Sequence, residues 1–170
     1  MTLTGWDADE AVAELYGAHY RGLVRLSVLL VRDVGTAEEV VQDAFVAMHG
    51  RWGRLRDPDK ALAYLRQAVV NRSRSVLRHR GVVERHDARV TVVGAVPAAE
   101  EGALHAESRA RVLDAMRALP TRQREVLALR YYLDLSESDI ATTLGISRGA
   151  VKSHASRGAA ALRALLEETS

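Results

Sequence analysis

The chain has no cysteine among its 170 residues, which removes disulfides, thiol catalysis, thiol redox sensing and cysteine-ligated zinc together. Aromatic residues are scarce, with a single phenylalanine, so any core must be built mostly from Leu, Val and Ala. Long apolar runs are missing too. The longest, around Leu26 to Val31, falls far short of the roughly 20 residues that cross a bilayer, and no charged-then-apolar leader opens the chain. These absences point to a cytoplasmic protein without membrane insertion. The six histidines are scattered without paired metal-ligand spacing. No Gly-rich phosphate loop and no Ser, His and Asp cue is present either, so neither an enzyme nor a cofactor is expected.

What the chain does have is charge in blocks. The formal net charge is only +2, but residues 1–50 carry −5, residues 51–80 carry +7, residues 81–107 carry −3 and residues 108–170 carry +3. Alternating acidic and basic blocks suggest surfaces for different partners, and the two basic ones suit nucleic acid.

The most informative stretch runs from Asp134 to Leu166. Ser136 is a good N-cap with Asp139 three residues on, and Ile140, Ala141 and Leu144 share one side of the helix they open. Gly145 supplies the left-handed conformation that ends it, Ile146 follows as an apolar plug, and Ser147 caps again. In the second helix Val151, Ala155, Leu162, Leu165 and Leu166 form the inward stripe, while Arg148, Lys152, Ser153, Ser156 and Arg157 face outward. Long cations and short hydroxyls on the outer face of a second helix suit a major-groove reader. The pair therefore reads as a helix-turn-helix.

Upstream, Asp9 to Arg32 reads as one helix through Val12, Leu15, Tyr16, His19, Leu23, Leu26 and Leu30. His19 on that apolar side is taken as a boundary residue without chemistry. A break at Asp33 to Gly35 precedes Thr36-Ala37-Glu38-Glu39, which reads as a capping box opening a second helix. Its buried side is Val40, Ala44, Phe45, Met48 and Trp52; its exposed acidic side is Glu38, Glu39, Gln42 and Asp43, which reads either as an ordinary solvated face or as a docking surface for a basic partner. Asp57-Pro58 supplies an N-cap and first-turn proline for a basic helix through about Arg80, with Leu62, Leu65, Val69 and Val76 on its seam. Gln67, Asn71, Arg74 and Arg78 share the other side, flanked by Arg66 and Ser75. Amides, hydroxyls and arginines in one line can follow a phosphate backbone while Asn71 bonds a base edge.

Periodicity fails from Gly81 to about Ala106, where Gly94, Pro97 and Gly102 interrupt an acid-leaning stretch. Residues 107–119 resume as a helix, Pro120 ends it, and the next buries Val126, Leu127, Leu129 and Leu133 under the helix-turn-helix. The expected fold is all-α: two small helical domains, 1–80 and 107–170, on a flexible linker, 81–106.

Three blocks in order, Ala37 to Met48, Ala63 to Arg80 and Leu119 to Arg157, together resemble the extracytoplasmic-function sigma factors, the smallest class of bacterial RNA polymerase sigma subunits. The resemblance covers nearly the whole chain and implies a role for each block. Glu38, Glu39, Gln42 and Asp43 would grip the clamp helices of the polymerase largest subunit, and the flap of the second-largest subunit is implied as a further partner. Arg66, Gln67, Asn71, Arg74, Ser75 and Arg78 would recognise and open the minus-ten element, with Asn71 near a flipped non-template base whose lost stacking its contacts must offset. Arg148, Lys152, Ser153, Ser156 and Arg157 would read the minus-thirty-five element as duplex. The linker would thread through the polymerase, and an anti-sigma factor would control the whole. His154 and the stretch Gly158-Ala159-Ala160-Ala161 depart from the arginine-richer pattern, which implies weaker or differently specific minus-thirty-five binding. A dimeric operator-binding factor would account for the helix-turn-helix but not for the other two blocks, and a nuclease for none of them.

Overall fold

The computed structural model describes residues 2–84 and 102–170, so most of the expected linker lies outside the described residues. Among the described residues there are seven α-helices and no strand.

Helix α1 (Ala8–Val31) is opened by the Asp7 carboxylate, which accepts from Glu10 N–H at 2.9 Å. It closes on Arg32, a non-glycine residue in the left-handed conformation with φ 64°. That conformation costs an L-residue roughly 1–2 kcal/mol, and here it lets the next helix begin at once. Helix α2 (Val34–Arg51) starts three residues earlier than the Thr36 capping box would have it, because Asp33 is the N-cap and accepts from Gly35 N–H at 3.1 Å. Thr36 instead donates its hydroxyl to Asp33 at 2.7 Å, and Arg80 from the far end of the third helix pairs with the same carboxylate at 3.0 Å. These bonds hold the Asp33 carboxyl below the usual range, the Thr36 hydroxyl contributing most. Two cap-forming residues lie three apart; Asp33 takes the role, and the distant Arg80 bonds both its carboxylate and the Thr36 hydroxyl.

Asp57 caps as expected: its carboxylate accepts from Asp59 N–H, Pro58 opens a 3-10 turn, and α3 (Ala61–Glu84) follows directly. Leu15, Leu26 and Val31 of α1, Val41 and Met48 of α2, and Leu65, Val69 and Val70 of α3 form a fully buried three-helix core. Within it the Ser27 and Ser73 hydroxyls satisfy each other at 3.0 Å across α1 and α3.

The C-terminal domain is α4 (Ala103–Ala118), α5 (Thr121–Leu127) with a π-helical turn at Ala128–Tyr132, α6 (Glu137–Leu144) and α7 (Arg148–Glu168). Helix α4 begins four residues before the expected residue 107. Val126, Leu129, Ile140 and Val151 are wholly buried, while Leu133 is only half so. Gly158, on the departing stretch, is buried between α7 and α5. A Cβ there would lie 3.2 Å from Gln123 Cβ and 3.2 Å from Leu127 Cδ1, so the missing side chain sets how closely the helices approach. Gly158→Val is therefore expected to destabilise by about 1–3 kcal/mol through overpacking, despite the intrinsic cost of a helical glycine, as read from urea unfolding.

The two domains are in contact. The C-terminus of α1 has no lysine or arginine in its last helical turn, yet its terminal carbonyls require donors. The other domain provides them: Arg117 donates to Val31 O at 2.9 Å and Arg124 to Leu30 O at 3.2 Å. Arg124, 6% exposed, also donates to Met116, Arg117 and Leu119 carbonyls at 2.9, 3.0 and 2.8 Å, tying the α4–α5 joint. Burial lowers its pKa, Arg117 adds to that, and Glu125 opposes both. Arg32 pairs with Asp114 across the same seam.

Candidate nucleic-acid interfaces

The helix-turn-helix has the local chemistry its residues dictate. Ser136 Oγ accepts from Asp139 N–H at 3.1 Å, and Gly145 adopts φ 66°. Ile146 N–H returns to Ala141 O at 3.1 Å, and Ser147 Oγ accepts from Ala150 N–H at 3.0 Å. Val151 and Ala155 face the core of the domain. That leaves Arg148, Lys152, Ser156 and Arg157 exposed along one side of α7, with Ser153 half-buried beside them. Lys152 Nζ lies 3.8 Å from Glu137 of α6, whereas Arg148 and Arg157 carry no ion pair among the described residues. His154 is half-buried, with its Nδ1 enclosed and without a hydrogen-bond partner.

The basic helix α3 divides its polar residues between two directions. Gln67, Asn71 and Ser75 line an open groove of about 340 Å³ between α2 and α3, together with Arg51, Tyr64 and Arg72. Arg51 is not legible from the sequence, because periodicity along α3 does not disclose which residues of α2 lie alongside; Tyr64 and Arg72 are on α3 itself, and only the groove shows that they join its lining. Arg78 is exposed. Arg74 turns the other way, to the C-terminal domain: its guanidinium donates from Nε to Glu125 Oε1 at 3.2 Å and from Nη2 to Oε2 at 2.5 Å, and from Nη1 to Asn71 Oδ1 at 3.4 Å. Arg66 is half-buried; burial lowers its pKa and the charge of Asp139 on α6 works against that. His19 lies close enough to Arg66 for burial first, and that cation second, to lower its pKa.

The acidic side of α2 is open, with Glu38, Glu39, Gln42 and Asp43 all exposed. It adjoins two aromatics of α1: Tyr16 and Tyr20 stack with centroids 4.4 Å apart, and Gln42 donates to the Tyr20 hydroxyl at 3.5 Å. Exposed Val46, at 72%, adds an apolar point on the same helix.

Comparison with known proteins agrees with this layout. The sigma-70 region 2 family matches residues 15–82 and the sigma-70 region 4 family matches residues 109–162. An RNA polymerase sigma-E factor of Streptomyces antibioticus is 33% identical over 91% of this chain and 83% of its own length. The ECF RNA polymerase sigma factor SigL of Mycobacterium tuberculosis is 32% identical over 98% and 96%. Among solved structures, the sigma factor RpoE of Bartonella quintana, in complex with the anti-sigma factor NepR, shares the fold with a TM-score of 0.77 at 24% identity, over 91% of this chain and 96% of its own. CnrH, in complex with the cytosolic domain of CnrY, has a TM-score of 0.71 at 26% identity, over 96% of each chain. With both halves and their order matched, the chain belongs to the sigma-70 family of RNA polymerase sigma factors, in the extracytoplasmic-function class.

Proposed function

We propose that the three faces divide the work of promoter-directed initiation. The acidic side of α2, Glu38, Glu39, Gln42 and Asp43, docks on the clamp helices of the polymerase largest subunit, with Tyr16, Tyr20 and Val46 adding apolar contact. The α2–α3 groove holds the melted minus-ten strand: Gln67, Asn71 and Ser75 address an extruded base, and Arg66, Arg74 and Arg78 address phosphates. Helix α7 reads the minus-thirty-five duplex through Arg148, Lys152, Ser153, Ser156 and Arg157. The apolar groove of about 450 Å³ formed by Leu127, Tyr131, Ala159, Leu162 and Leu166 takes the flap of the second-largest subunit. An anti-sigma factor controls the chain in the cytoplasm by covering these faces.

The observation that carries this reading is that the two basic surfaces differ in shape. One is a concave slot walled by amides, hydroxyls, an aromatic and arginines; the other is a projecting helix with a capped N-terminus. A slot suits an unstacked base and a projecting helix suits a major groove. Asn71→Ala is expected to leave binding of duplex promoter by the polymerase complex intact while reducing opening, seen as lost permanganate reactivity of unpaired thymines near minus ten. Undiminished reactivity would remove the base-pocket role from the groove.

A further inference from the structure

Arg74 and Glu125 meet across the two domains, and the contact uses a residue that the promoter would also use. One edge of the Arg74 guanidinium, Nε and Nη2, reaches the two oxygens of Glu125, whose side chain is 2% exposed, and Nη1 donates to Asn71 as well. Helix α6, with Asp139, lies over the same side of α3 near Arg66. A second detail bears on how the contact could open. Arg122, one turn before Glu125 on α5, has its Nη1 enclosed without a hydrogen-bond partner and 3.6 Å from Glu125 Oε1. Removing one partner of a buried ion pair ordinarily strands the other charge. Here Arg122 can take over the carboxylate when Arg74 leaves.

We infer that Glu125 is an internal stand-in for a DNA phosphate, holding the free chain closed by occupying Arg74, and that promoter DNA opens it by exchanging Arg74 while Glu125 passes to Arg122. This rests on the reading of Arg74 as a minus-ten contact. In the closed form the carboxylate offers Arg74 the bidentate pairing that a phosphate would offer. A phosphate chain competes best for Arg74 in low salt, so opening is coupled to strand capture. If the closed form holds about nine chains in ten, apparent affinity for single-stranded DNA is lowered about tenfold.

The absence of cysteine makes the test direct. In the full chain Ala13→Cys on α1 and Ala160→Cys on α7, both exposed, take a donor and acceptor dye, and energy transfer reports domain closure. Glu125→Gln and, separately, Arg74→Gln should each lower transfer. A fluorescein-labelled single-stranded 20-mer of random sequence, followed by anisotropy, should bind several-fold more tightly to Glu125→Gln than to the parent. It should bind no more tightly to Arg74→Gln, which opens the chain but loses the contact. Unchanged transfer in Arg74→Gln overturns the latch whatever Glu125→Gln does, and that variant alone decides closure if Glu125→Gln loses helicity at 222 nm. Lowered transfer with unchanged oligonucleotide affinity in a folded Glu125→Gln overturns the occlusion, and points to Arg74 not being a DNA contact at all.

Discussion

Arg124→Met is expected to cost about 3 kcal/mol or more and to give the C-terminal domain its own early unfolding transition in urea. The substitution keeps an apolar stem of similar reach but takes the guanidinium away from four carbonyls, those of Leu30, Met116, Arg117 and Leu119, of which Met116 O keeps the Leu119 N–H at 3.1 Å. Each buried acceptor left without a partner costs on the order of 1–3 kcal/mol, and water entering the widened joint recovers part of that. Against a total stability of roughly 5–15 kcal/mol the loss is large. Arg124→Lys should recover only a fraction, since an ammonium is a single point where the planar fork addresses several carbonyls. A loss under about 1 kcal/mol for Arg124→Met would mean that the guanidinium is a passenger in the joint.

The second large effect concerns α7. Arg148→Ala with Arg157→Ala is expected to weaken duplex promoter binding by the polymerase complex on the order of 30- to 1000-fold, taking about 1–2 kcal/mol for each arginine. The salt dependence should flatten as well, by close to two in the slope of log K against log salt if both side chains contact phosphates. Lys152→Ala should do less than either, because Glu137 already competes for that ammonium at 3.8 Å. Binding and salt slope measured at two ionic strengths separate the cases: lost affinity with an unchanged slope would assign the arginines to base edges. Unchanged affinity would place the reading face elsewhere on the helix.

Much of this architecture could be read from local chemistry. Ser136, Gly145 and Ser147 each satisfy a backbone need within three or four residues of themselves, so the helix-turn-helix follows from the sequence, as does the Asp57-Pro58 start before α3. Features decided by distant residues were not legible. Asp33 rather than Thr36 caps α2, and the arginine bonding both is 44 residues or more away. Gly158 reads in sequence only as a helix-weakening residue; the reason for it is the close approach of Gln123 and Leu127 on another helix. Arg117 and Arg124 look like ordinary surface cations until α1 is seen to end without donors of its own. The candidate site divides in the same way. The exposed positions on α2 and α7 follow from helical period, but the direction of Arg74 depends on a glutamate 51 residues on, in the other domain. Periodicity gives the face of a helix and says nothing of what lies against it.

The central claim is that one chain both grips polymerase and directs it to a promoter. Native mass spectrometry of the purified protein with core polymerase should give a one-to-one complex. That same complex should start RNA synthesis from a promoter found by sequencing transcripts after brief overexpression. No complex, or a complex that starts RNA at no such promoter, would contradict it.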